Sequence, residues 1–207
     1  MRSASHAIEE RSCPEAPPVA TAADGDLDRI ERAQNGDRLA FEALVRRHHR
    51  PIYNYIYRMV GSGDLAADLT QEVFLKVYTA LSTFNPAYRF TTWLYKIASN
   101  RVIDHLRRRR THLIPLDPAA ADRAGTILKE VPGHEQDPEW SLRVQESASS
   151  LATALRALPG NYRDLIILRH FQHRSYEEIA CIKNSPLGTV KNRLFRAREA
   201  LRRRLSP

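Results

Sequence analysis

Lys191, Arg193, Arg196 and Arg198 stand two or three positions apart in the segment LGTVKNRLFRAREALRRRL, and Arg202 to Arg204 close it. Cations at this density bind polyanions, holding phosphates by charge and reading guanine edges with paired N–H donors. The terminal arginines alone could complement a helix C-terminus, whose dipole favours positive charge. Lys191, Arg193 and Arg196 lie near the start of the same segment, where a cation is unfavourable, so the dipole does not account for them. A second cluster occupies residues 101–112. The two segments 101–112 and 185–207 carry net charges of +4 and +6, against +8 for the whole 207-residue chain and −2 for the remainder. Charge confined to two places in an otherwise balanced chain points to two contacts with nucleic acid.

Other chemistry finds less support. Asp64, Asp68 and Glu72 are spaced by four, a pattern that could hold a metal on one helix face, as in a recombinase-like DNA-processing enzyme. Asp64 precedes or begins its helix, however, and no further acidic cluster or nucleophile motif accompanies the three. His170 and His173 lack further ligands nearby. Cys13 and Cys181 sit far apart without metal-ligand spacing, so neither a disulfide framework nor a zinc site is expected. No metal and no cofactor are therefore expected. No apolar run of eighteen residues could span a membrane, and the N-terminus lacks a secretory signal pattern, so a cytoplasmic location is expected.

Four helical patterns must position the first cluster. Residues 1–26 show no periodicity and are expected to be a disordered extension. From Leu27, breaks at Asn35-Gly36 and Gly61-Ser62-Gly63 separate a short helix, a longer one through Met59 and a third from about Leu65 to Leu81. In the third, Leu69, Val73, Val77 and Leu81 form an inner stripe that leaves Gln71, Glu72 and Lys76 outside. A fourth follows Phe90-Thr91-Thr92 and runs to Arg107–Arg110, with Trp93, Ile97, Val102 and Leu106 inward. Residues 111–141 then carry four prolines and a net charge of −4, and are expected to be a linker. A coil of about thirty residues spans roughly 30 Å on average and reaches about 100 Å when stretched, so the modules it joins are expected to be able to sit well apart.

The second module, residues 142–207, centres on SYEEIACIKNSPLGTVKNRL. Ser175 and Glu178 form a capping box that starts one helix. Asn184 suits the left-handed residue that stops it, Ser185 is placed to cap the next, and Pro186 fits its first turn. Two short helices with small Ala180 at their crossing make a helix-turn-helix, whose second helix places its N-terminal residues in the DNA major groove. No strand alternation appears anywhere. The fold class is all-α: two small helical domains joined by a flexible linker.

The stretches DLTQEVFLKVYTAL and FTTWLYKIASNRVIDHLRRRR, followed by LPGNYRDLIILRHF and SYEEIA…SPLGTVKNRLFRAREAL, resemble regions 2 and 4 of an extracytoplasmic-function (ECF) sigma factor of the sigma-70 family, in that order. The resemblance covers residues 27–110 and 142–205. It implies a promoter-specificity subunit of bacterial RNA polymerase, with core polymerase and promoter DNA as partners and an anti-sigma factor as regulator. It places Asp68, Gln71 and Glu72 against the clamp coiled coil of the largest polymerase subunit, and the linker inside the polymerase. It assigns the NPAYRFTTWLYKIASNR segment to opening of the −10 element. There Tyr88, Phe90, Trp93 and Tyr95 alternate with cations in a composition suited to stacking unpaired bases. Trp93 lies on the apolar stripe and reads as core, so Lys96, Asn100 and Arg101 are the stronger DNA candidates, with Arg107 and Arg108 on upstream phosphates. Ser185, Thr189, Lys191, Asn192, Arg193 and Arg196 would meet the −35 element. Lys183, Asn184 and Ser185 depart from the Leu, Gly and apolar residue common in the family, which makes the turn unusually polar and bears on its packing. A response regulator would share the second module, but it requires a strand-helix receiver that the first half lacks.

Overall fold

The computed structural model describes residues 25–112 and 138–205, which form eight α-helices and no strand. In the first half these are α1 (Leu27–Gln34), α2 (Arg38–Val60), α3 (Gly63–Ala80) and α4 (Phe90–His112). In the second they are α5 (Pro138–Ala157), α6 (Gly160–Ile166), α7 (Tyr176–Lys183) and α8 (Leu187–Leu205). A single 3-10 turn, Leu81–Thr83, follows α3, and a wide π turn, Ile167–Phe171, continues α6. The expected disordered extension lies outside the described residues except for Gly25 and Asp26, and so does the greater part of the expected linker.

Local chemistry explains the boundaries. The Asp37 side chain accepts the N–H groups of Leu39 and Ala40 at 2.9 and 3.1 Å, starting α2. Gly61 ends it in the left-handed region at φ 78° and donates its N–H to Tyr57 O. A Cβ on Gly61 would stand 3.0 Å from the Arg156 side chain, so this glycine also admits α5. The α7 start is the expected capping box: Glu178 N–H donates to Ser175 Oγ at 3.1 Å, and Ser175 N–H to Glu178 Oε2 at 2.8 Å. Asn184 stops α7 at φ 45°. Ser185 does not cap α8 as expected. Its hydroxyl instead donates back to Lys183 O at 3.0 Å. α4 begins at Phe90, ahead of the expected start, since Phe90 is itself buried against Phe84 and Trp93.

α2, α3 and α4 bury Ile52, Tyr55, Ile56 and Met59, then Leu69, Val73 and Val77, then Leu94, Ala98 and Val102. α7 and α8 form the helix-turn-helix, with Ala180 buried at their crossing and Val190, Leu194 and Ala197 turned inward. The two halves do not sit apart. Leu165, Ile167, Leu168, Ile179 and Ile182 join the first half's core in one continuous cluster, and Gly160 lets the start of α6 come against Leu106 and Ile103 of α4. The sequence of a linker sets how far it can reach; the faces at its two ends decide whether that reach is used. Cys181 is buried on α7, and Cys13 lies outside the described residues.

Candidate nucleic-acid interface

The outer face of α8 collects the basic residues. Lys191, Asn192, Arg193 and Arg196 are exposed in its first half, with Thr189 and Ser185 half-buried beside them. Arg193 and Arg196 make no ion pair with a described residue, whereas Arg203 near the C-terminus is held by Glu199 at 2.7 Å. Arg198 turns aside to His170 Nε2 and the Tyr176 hydroxyl at 3.3 and 3.2 Å. Burial lowers the His170 pKa, and Arg198 reinforces the shift. Phe195 is 67% exposed on the same face. A large aromatic off the apolar stripe of an amphipathic helix is a sign, legible in the sequence, of a surface with another use.

α4 divides differently. Asn100, Arg107 and Arg108 are exposed, and Lys96 and Arg101 are partly so. Arg107 lies 3.0 Å from Asp104. Burial, followed by the charges of Arg101 and Arg109, lowers the His105 pKa, so this stretch is already crowded with positive charge. The expected base-stacking aromatics are mostly spoken for. Phe90 and Tyr95 are buried, Trp93 is packed on Phe84 and Phe90 with ring centroids at 5.3 and 5.8 Å, and Tyr88 alone of the four is exposed. Alternation of aromatics with cations shows composition, while the 3.6-residue period decides which rings face inward.

On α3, Asp68, Gln71 and Glu72 all face solvent, and the inner stripe of Leu69, Val73, Val77 and Leu81 is buried. Two further residues share the outer face: Leu75 at 66% and Tyr78 at 56% exposure, with Tyr78 edge-on to Phe41 at 4.9 Å. Their place outside the stripe was readable from the helical period. The structure also joins two residues assigned to different partners, since Arg101 on α4 donates to the Glu72 carboxylate on α3. Among the described residues no cluster of three or more His, Cys, Asp or Glu could hold a metal, and no helix is long and apolar enough to cross a membrane.

Comparison with known proteins agrees with this layout. Residues 44–112 match the family model for sigma-70 region 2, and residues 148–201 match that for sigma-70 region 4. The chain is 38% identical over 182 residues to the ECF RNA polymerase sigma-E factor of Escherichia coli, covering 86% of this chain and 93% of that one. It is 36% identical over 186 residues to the RNA polymerase sigma-H factor of Pseudomonas aeruginosa, covering 88% and 94%. Among solved structures it is similar to the Bartonella quintana sigma factor RpoE in complex with the anti-sigma factor NepR, with 25% identity, a TM-score of 0.58, and 80% and 96% of the two chains covered. The chain belongs to the ECF sigma factors of the sigma-70 family, promoter-specificity subunits of RNA polymerase that carry out no catalysis of their own.

Proposed function

We propose that residues 27–110 bind core polymerase and the −10 element, and that residues 142–207 bind the −35 element, in the cytoplasm. Asp68, Gln71 and Glu72, joined by Leu75 and Tyr78, form the polymerase-docking face. Exposed apolar side chains beside a few polar ones suit a protein partner better than DNA. Lys96, Asn100, Arg101, Arg107 and Arg108 take the −10 region and the duplex upstream. Ser185, Thr189, Lys191, Asn192, Arg193 and Arg196 enter the major groove at −35, where Phe195 is suited to a thymine methyl. The observation that carries this reading is the row of exposed cations on the first half of α8, the second helix of a helix-turn-helix. A helix start tolerates such a row when an anion neutralises it. An anti-sigma factor is the regulator proposed, by analogy with the Bartonella quintana relative, which was solved with one bound.

Recovery of core polymerase on the tagged full-length chain tests the docking face. Gln71→Ala with Glu72→Lys should keep its circular dichroism, because exposed substitutions change stability by less than about 0.5 kcal/mol. It should lose polymerase, since inverting an interfacial charge costs about 2–5 kcal/mol. Equal recovery by wild type and double variant would overturn the docking face.

A further inference from the structure

Lys191, Phe195, Arg198 and Arg202 recur every three or four residues, so they form one exposed stripe along the flank of α8. Beside Arg198 stand the π turn, which carries Arg169 and His170, and the first turn of α7, which carries Tyr176. Arg198 donates from Nε to His170 Nε2 at 3.3 Å and from Nη2 to the Tyr176 hydroxyl at 3.2 Å. The Arg169 guanidinium lies 4.8 Å over the same phenol ring and donates to Arg174 O at 2.9 Å. The groups that hold the two arginines are an imidazole, a phenol and a carbonyl, all uncharged. Neither cation makes an ion pair with a described residue.

Nε2 of His170 accepts from Arg198 only while the ring is neutral, with its proton on Nδ1. Protonation would set two cationic N–H donors against each other at the same separation. Burial, then Arg198, Arg169 and His173, lowers the His170 pKa below its usual value near 6.5. Among the described residues no carboxylate offsets them. α8 brings Arg198 and, in the same groove, Arg202; the π turn and its continuation bring Arg169 and His173; α5 and α6 bring only Leu151 and Ile166. On α7, Glu177 is held by its own backbone and the Ser175 hydroxyl, and its charged neighbours are Lys191 and Arg169.

An anion between the two donors removes the conflict, because a phosphodiester offers two oxygens to two adjacent N–H groups and binds both charges. We propose that Arg198 and His170 form a proton-coupled clamp on one backbone phosphate beside the −35 element. On binding, Arg198 turns from Nε2 to the phosphate, and His170 takes a proton from solvent onto Nε2 and donates it to the same phosphate. Tyr176, stacked against Arg169, is the positioning residue that keeps the Arg198 guanidinium in reach. The first helix of a helix-turn-helix crosses the DNA backbone while the second reads the groove, and Tyr176 opens that first helix. The proposal rests on the assignment above of α8 to the −35 element.

In the complex the phosphate raises the same pKa that cationic neighbours lower in the free chain. Between the two values the complex holds one proton more than the free protein, so affinity rises as pH falls and levels off below the free value. Each unit between the two values changes affinity about ten-fold.

The test measures binding of the reconstituted holoenzyme to a promoter duplex that it transcribes, between about pH 6 and about pH 8. It compares wild type with His170→Gln, which keeps an acceptor for Arg198 and does not titrate, and with Arg196→Ala. Titrations elsewhere in the polymerase are common to all three and cancel. Over this range wild type should gain about three- to ten-fold more affinity than His170→Gln. Its salt dependence should steepen by about one ion more than that of the variant. In the free full-length chain, Arg198→Met should raise the His170 pKa read from its imidazole proton resonance by NMR, since both the donor and the charge are removed. An unshifted pKa would overturn the pairing on which the clamp is built. Equal pH dependence in wild type and His170→Gln, with Arg196→Ala weakened, would overturn the clamp alone. Undiminished binding by Arg196→Ala would overturn the −35 assignment, and the clamp with it.

Discussion

Arg101 on α4 is paired with Glu72 on α3, so a cation proposed for DNA is neutralised in the free protein by a carboxylate proposed for polymerase. With side chains 24% and 47% exposed, the pair contributes no more than about 1 kcal/mol to stability. Its importance lies in competition, because a polymerase group that takes Glu72 releases Arg101 for phosphate. Arg101→Ala should therefore leave the melting temperature nearly unchanged. The slope of log binding constant against log salt for the holoenzyme on promoter DNA should fall by about one. An unchanged slope would show that Arg101 stays on Glu72 in the complex.

On the reading helix, Arg193 and Arg196 make no ion pair with a described residue, and two kinds of DNA contact are open to each. If either makes a bidentate contact to guanine, its replacement by Ala costs about 1–3 kcal/mol at one promoter position. A phosphate contact lowers affinity evenly across sequences. Phe195→Ala should keep the fold, because the ring is 67% exposed, and should weaken only sites bearing a thymine at the facing position. Competition binding against a panel of single-base promoter variants distinguishes the three outcomes.

The first helix of the helix-turn-helix is bounded by two local devices. Ser175→Ala removes half of a reciprocal capping box and should cost about 1 kcal/mol. Asn184 sits at φ 45°, where a β-branched side chain is strained, so Asn184→Val should cost about 1–2 kcal/mol and Asn184→Gly far less. Urea denaturation of the full chain measures all three.

These devices were legible because they are local: capping residues, a left-handed Asn and an apolar stripe at helical spacing all declare themselves within a few positions. The inner stripe of α3 and the buried face of α8 were readable for the same reason. The packing of the two modules together was not. It brings the Tyr55 and Ser99 hydroxyls and the Lys183 ammonium onto the buried carboxylate of Asp164. These four residues are up to 128 positions apart, and nothing in the neighbourhood of any one names the others. The polar turn at Lys183 was visible as an anomaly, but its meaning needed the buried acid. The aromatics at the start of α4 are the opposite case, since their composition suits DNA while the helical period places Phe90 and Tyr95 in the core.

Burial, then the Asp164 charge, raises the Tyr55 pKa well above its usual value near 10. Below pH 10 the phenol is neutral whether the chain is folded or not, so it adds no pH dependence there. Above pH 10 the unfolded phenol ionises while the folded one keeps its proton, so stability falls as pH rises. Tyr55→Phe should be less stable at neutral pH but should lose less between pH 9 and 11. Parallel losses in the two proteins, read from urea midpoints, would contradict the buried, protonated phenol.

Transcription of genomic DNA by core RNA polymerase, with and without the full-length chain, tests the central claim most directly when the start sites are sequenced. Addition of the chain should create a new set of starts whose upstream DNA shares one motif near −10 and another near −35 at nearly constant spacing. Identical start sites with and without the chain would contradict the account.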